Sequence, residues 1–236
     1  MQHPFYTRLR ALAFCTLFII AAQPLLLAQK KKNPDPAQTV AQQVEASFNT
    51  FKPTGLCIAI VKDGQVVYSK GLGLANAETQ EAVQTSHLFN IASCSKAFTA
   101  AAIGSLVDEG KLRWDDKVID HLPGFQLSDP WVTSQFTIKE LLCHRSGLGT
   151  FDGDLLWYAS NYTDEQIMAH MRHLPLRQEF RTEFGYQNNL YTVAGLVIKK
   201  VTGKTWSQFI TERFFQPLDM ATACPAPAHS RNRLTI

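Results

Sequence analysis

The sequence predicts a mixed α/β (α+β) domain, a helical part joined to an incomplete antiparallel sheet. Three observations point there. Two short apolar runs, residues 56–61 and 66–69, flank Asp63-Gly64, a dipeptide that favours the tight turn of a hairpin. Downstream, apolar residues recur at helical spacing in one stretch after another, closed by Gly110 and Gly203. The tally is one hairpin against about six helices, and two strands alone make a poor sheet.

The elements follow in order. Val40, Val44 and Phe48 give residues 37–48 one apolar helical face. The hairpin comes next, then a segment with Gly71, Gly73 and Asn76 that reads as a loop. Residues 93–109 form an alanine-rich helix stopped by Gly110, and residues 114–124 read as irregular. Thr137 with Glu140, and Thr163 with Gln166, have the spacing of capping boxes, opening a short helix near residue 138 and another over 163–173. Residues 189–201 and 205–215 are the last clear helices, and the pattern dissolves after Met220.

Hydrophobic residues are 45% of the 236-residue chain and charged residues 18%, as in an ordinary folded protein. The formal charge of +3 owes much to Arg8, Arg10 and the run Lys30, Lys31 and Lys32, which leaves the body near neutral and without the electrostatic footprint of a nucleic-acid binder. Arg8 and Arg10 precede an apolar stretch from residue 11, with small residues at Ala22 and Ala28, the layout of a secretory signal. Residues 1–28 are therefore expected to be a signal peptide, 29–36 a linker and 37–236 the domain. Export to a bacterial periplasm or the exterior follows. No stable membrane span is expected after cleavage; an uncleaved anchor is the alternative, disfavoured because Gln23 and Pro24 interrupt a stretch already short for a span. Cys57, Cys94, Cys143 and Cys224 match no metal spacing, and three of them lie in apolar-periodic stretches where cysteine behaves as a small buried hydrophobe. Nothing in the sequence selects a disulfide pairing, and neither a metal nor a cofactor is called for.

The chemistry is concentrated in two places. Ser93-Cys94-Ser95-Lys96 opens the alanine-rich helix, and side chains three apart share a helix face. A serine hydroxyl is protonated at neutral pH and needs a base; a neutral lysine amine can serve. The helix N-terminus favours an oxyanion formed beside it. Tyr186-Gln187-Asn188 is the second place: a tyrosine can shuttle a proton, and an asparagine amide both donates and accepts. No serine carries the Gly-x-Ser-x-Gly elbow of an alpha/beta-hydrolase. His144 reads as fixing its loop, Asp115 and Asp116 as a solvated turn, and Cys94 as packing.

Residues 89–100, Phe-Asn-Ile-Ala-Ser-Cys-Ser-Lys-Ala-Phe-Thr-Ala, resemble the nucleophile segment of the beta-lactamase-related serine hydrolases, which include class C beta-lactamases, D-alanyl-D-alanine carboxypeptidases and esterases. Residues 136–148 resemble that family's T-I-x-x-L-L-x-H-x-S-G-L block, residues 184–195 its Y-x-N block, and Pro217-Leu218-Asp219-Met220 its P-L-G-M turn, all in family order. The resemblance implies a beta-lactamase/transpeptidase-like fold with Ser93 as nucleophile, Lys96 as activating base, Tyr186 as second acid/base and Asn188 as a substrate-binding residue. It implies an acyl-enzyme hydrolase acting on a small-molecule or peptidoglycan-derived substrate: a beta-lactam, a D-alanyl peptide or a small ester.

The family's third element, Lys-Thr-Gly or His-x-Gly on a strand beside the nucleophile, has no copy here. Thr202-Gly203-Lys204-Thr205 has the wrong order, at a helix junction, and His229-Ser230-Arg231 lacks the glycine. The C-terminal part of the domain is accordingly expected to be missing. A catalytically impaired fragment or a non-enzymatic binding protein on the same scaffold is the alternative reading.

Overall fold

The computed structural model describes residues 36–225. The expected signal, the lysine run, all of the linker except Pro36, and His229-Ser230-Arg231 lie outside the described residues. These residues form two compact units, one ending at His87 and one beginning at Leu88.

In the first unit, helix α1 (Pro36–Phe51) precedes strands β1 (Gly55–Lys62) and β2 (Gln65–Asn76). The strands pair antiparallel, with Gly55 opposite Gly73 and Lys62 opposite Gln65. Asp63 and Gly64 have φ of 52° and 74°, the left-handed pair that a two-residue hairpin turn requires. Strand β2 runs on through Gly71, Gly73 and Asn76, where the sequence reading has a loop. The glycines are there for close approach: a Cβ on Gly71 would lie 2.3 Å from the Val83 carbonyl oxygen, and one on Gly73 2.3 Å from that of Thr54. Beyond them β2 pairs with a short β3 (Glu81–Ala82), so the sheet has three strands in the order β1-β2-β3.

The second unit is helical. A 3₁₀ turn (Ala92–Cys94) leads into α2 (Ser95–Asp108), which ends before Gly110 at φ 68°. The predicted helix over 93–109 thus begins as a tighter turn. Two short helices, α3 (Val118–His121) and α4 (Pro130–Gln135), escape the sequence reading because neither is long enough to show a 3.6-residue pattern. The cap of α4 was legible: Asp129 accepts from the Trp131 and Val132 amides at 2.7 and 3.0 Å, with Pro130 in the first turn. Both predicted capping boxes form. Glu140 accepts from the Thr137 amide at 2.7 Å ahead of a 3₁₀ turn (Ile138–Leu141), and Thr163 and Gln166 bond reciprocally at the start of α5 (Asp164–His170). Helix α6 (Asn189–Thr202) closes at Gly203, φ 73°. The last predicted helix divides into α7 (Trp206–Ile210) and a π turn (Thr211–Phe215). In the P-L-G-M block, Asp219 takes φ 53°, the conformation for which glycine is the natural residue.

One core holds this unit together. Ile103 and Leu106 of α2, Phe136, Ile138 and Leu141, and Leu190, Val193 and Val197 of α6 are all fully buried, each contributing roughly 2 kcal/mol. The Trp206 indole donates to Thr99 Oγ1 at 2.9 Å and ties α7 to α2. The first turns of α2 and α6 are thereby set on a rigid base. The cysteines depart from expectation: Cys57 is half-buried, and Cys94, Cys143 and Cys224 are exposed. Cys94 sits on the 3₁₀ turn and Cys143 just past another, where helical spacing no longer says which side faces the core.

Candidate active site

Ser93 is exposed on the turn ahead of α2, and its approach is fixed locally. Asn90 Oδ1 accepts from the Ala92 amide at 2.8 Å, and the Ser95 hydroxyl donates to the Ala92 carbonyl. Ala92 itself has φ 43°, a left-handed conformation that costs a side-chain-bearing residue about 1 kcal/mol or more. Lys96, half-buried in the first turn of α2, donates to Ser93 Oγ at 3.3 Å, so the predicted pair meets as expected.

The second predicted segment arrives from a distant part of the chain. Tyr186 donates to Ser93 Oγ at 2.7 Å, a shorter contact than that of Lys96. Lys96 Nζ lies 4.8 Å from the centre of the Tyr186 ring and 5.2 Å from that of Tyr191. Asn188 is the N-cap of α6, but its amide does no capping; its Oδ1 accepts from Lys96 Nζ at 2.6 Å. All four predicted residues therefore converge, and all belong to the second unit. Burial pushes the Tyr186 phenol up, but hydrogen bonds to Lys96 and Ser93, with the Lys96 charge, outweigh it and hold the phenol below its ordinary value.

Tyr186 is fixed from both sides. Its ring stacks on His144 at 4.5 Å with an interplanar angle of 26°, and Phe151 meets it edge-on at 5.3 Å. His144 Nδ1 accepts from the Gln187 amide at 3.0 Å, which requires a neutral imidazole at that nitrogen. Burial, then the Lys96 charge, pushes the His144 pKa down and favours that neutral form. His144 thus fixes its loop, as the sequence suggests. Asp115 pairs with Lys139 at 2.8 Å, and Asp116 accepts from the Arg113 amide at 2.9 Å, so these carboxylates serve structural contacts.

Asp154 has no counterpart in the sequence reading. It opens a 3₁₀ turn (Asp154–Leu156) after Gly153 at φ 79°, and accepts from Asn188 Nδ2 at 3.0 and 3.1 Å and from Trp157 Nε1 at 3.0 Å. One aspartate in a loop gave no signal; only the tertiary fold sets it beside Asn188. Among the described residues there is no cluster of three His, Cys, Asp or Glu suited to a metal, and no helix is long and apolar enough to cross a membrane. Thr202-Gly203-Lys204-Thr205 runs from the last residue of α6 to the N-cap of α7, with Lys204 paired to Glu212, and no described strand follows β3.

The chain as a whole is similar to known proteins. The chain is 31% identical over 188 residues to protein flp of Staphylococcus aureus (strain MW2), covering 79% of this chain and 38% of that protein. It therefore spans well under half the length of that curated relative. The penicillin-binding protein homologue of Pyrococcus abyssi superposes with a TM-score of 0.67 at 28% identity, over 79% of this chain and 44% of that one. D-amino acid amidase from Ochrobactrum anthropi SV3 superposes with a TM-score of 0.66 at 26% identity, over 79% and 52%. The beta-lactamase family model matches residues 40–231, and the chain belongs to the beta-lactamase family.

Proposed function

We propose that the protein is an exported serine hydrolase that forms an acyl-enzyme on Ser93 and hydrolyses an amide or ester. The observation that carries the reading is the meeting at Ser93 Oγ of two hydrogen bonds, from Tyr186 at 2.7 Å and Lys96 at 3.3 Å, brought together across 93 residues of chain. That is the geometry of a nucleophile with its proton acceptor in reach.

In the resting state the phenol donates to Ser93. Deprotonated and held by the Lys96 ammonium, it accepts along the same contact. Ser93 Oγ then attacks the carbonyl carbon, a C–O bond forms, and the serine proton passes to Tyr186. The oxyanion develops beside the start of α2, where the helix dipole favours it. Collapse breaks the bond to the leaving nitrogen or oxygen, which takes the proton from Tyr186. Water then attacks the acyl carbon, gives its proton to Tyr186, and the proton returns to Ser93 as the acid leaves. Lys96 acts here chiefly through its charge, because the tyrosine oxygen is nearer and its phenol is lowered. Asn188 holds Lys96 and presents its amide to substrate. The amidase likeness supports amide substrates, and family membership supports beta-lactams, D-alanyl peptides and small esters. The basic and apolar N-terminal pattern supports export, with cleavage near Ala28.

The test is covalent labelling. The full chain is incubated with a fluorescent penicillin and with a nitrophenyl ester, and intact mass is recorded. An adduct in the wild type that is absent in Ser93→Ala supports the reading. A folded sample that forms none overturns it in favour of a binding scaffold.

A further inference from the structure

We propose that Asp154 is a positioning residue that orients the Asn188 amide and, through it, the Lys96 ammonium; this rests on the reading of Ser93 and Lys96 above. A primary amide has nearly the same shape in its two flipped states, so steric packing alone cannot fix which end faces Lys96. Polar partners must do so. Here the two neighbours are opposite in kind. Lys96 can only donate, and it meets Oδ1 at 2.6 Å. An ionised Asp154 can only accept, and both its oxygens face Nδ2, at 3.0 and 3.1 Å. The flipped amide would set N–H groups against an ammonium and a carbonyl oxygen against a carboxylate, losing every hydrogen bond that the Asn188 side chain makes here.

The carboxylate is itself held. Trp157, one turn on, donates its indole N–H to Oδ1 at 3.0 Å. Gly153 permits the turn that delivers Asp154, because a Cβ there would lie 2.6 Å from Leu174 Cδ1 and 2.9 Å from Asn189 Nδ2. The full sequence is Trp157 indole to Asp154 carboxylate, Asn188 amide to the same carboxylate, and Lys96 ammonium to the Asn188 carbonyl. With one ammonium hydrogen so committed, the others are directed towards Ser93 and Tyr186.

Two measurements test this, one without catalysis. In the full chain with 15N-labelled asparagine side chains, the Asn188 amide pair is identified by its loss in Asn188→Leu. Asp154→Asn, nearly identical in shape, should move those signals and speed their exchange with solvent while the remaining spectrum stays folded. Unmoved signals overturn the proposal. The second measurement is the labelling rate at Ser93. Asp154→Asn should lower it about tenfold to a hundredfold. Asn188→Asp alone sets two carboxylates against each other and should be worse. The double variant Asp154→Asn with Asn188→Asp sets an amide N–H at position 154 against the carboxylate at 188, which restores a donor facing an acceptor, and should label at least tenfold faster than Asn188→Asp. Losses that simply add overturn the proposal. A wild type that never labels refutes the hydrolase reading instead, and the amide signals still decide the role of Asp154.

Discussion

Two arms meet at Ser93, and they are held in different ways. The nucleophile arm, residues 90–96, is fixed by its neighbours in sequence: Asn90 bonds the Ala92 amide, Ser95 bonds the Ala92 carbonyl, and the Cys94 amide donates to Ile91 at 2.9 Å. The tyrosine arm, residues 184–188, is fixed from afar. The Gly185 amide donates to the His144 carbonyl at 2.8 Å, Gln187 to His144 Nδ1, and the Tyr186 carbonyl accepts from the Phe151 amide at 2.9 Å. The comparison teaches that the two arms can be perturbed separately. Substitutions in the loop 144–154 should displace Tyr186 while leaving Ser93 where it is.

The largest effect belongs to the shared atom. Ser93→Ala should abolish covalent labelling, a loss beyond about a thousandfold, with the urea midpoint unchanged because the side chain is exposed. Tyr186→Phe should slow acylation by about a hundredfold to ten-thousandfold while labelling remains detectable. Its pH profile sharpens the point. A phenol held below its ordinary value gains phenolate at lower pH than a free one, so wild-type acylation should rise with pH on a limb below about 10. That limb should be missing from Tyr186→Phe. A limb that survives the substitution would assign the proton to another group.

The same contrast explains what the sequence could reveal. Ser93 and Lys96 are three residues apart on one helical start, and capping boxes such as Thr137 with Glu140 are complete within four letters, so short-range rules suffice. Tyr186 and Asn188 became legible only beside the nucleophile segment, through resemblance. Asp154 stayed hidden because its role depends on meeting Asn188, 34 residues away, and a lone aspartate in a loop has no pattern. In the sheet, Gly71 and Gly73 read as loop because glycine usually marks one, whereas here they relieve contacts with Val83 and Thr54.

A smaller effect should come from His144. Its folded pKa is depressed, so the neutral form favours folding: its contribution is complete above the unfolded value of about 6.5 and is lost as pH falls through the folded value. Wild-type stability in urea should therefore fall on acidification below about 6.5. His144→Asn keeps an acceptor for the Gln187 amide and suits the φ of 59° at this position, since asparagine tolerates it best after glycine. It loses the stack on Tyr186, so labelling should slow by roughly tenfold, in proportion to a loosened tyrosine. The acid-dependent loss of stability should be smaller in the variant. A wild-type urea profile that is flat across pH 5 to 7.5, or an acid-dependent loss equal in the two proteins, contradicts the assignment.

The smallest effect should be at Ala92, in the local arm. Glycine there removes a left-handed penalty of about 1 kcal/mol or more, but it adds roughly 0.4–1 kcal/mol of freedom to the unfolded chain. The two nearly cancel, so Ala92→Gly should shift the unfolding free energy by about 0.5 kcal/mol or less. Ala92→Val, with a branched side chain at φ 43°, should instead cost about 1–2 kcal/mol. Labelling of Ser93 should be unchanged in the glycine variant, because Asn90 and Ser95 still bond the same backbone groups. A tenfold slower rate at unchanged stability would mean that the strained residue, and not its hydrogen bonds, sets the aim of the nucleophile.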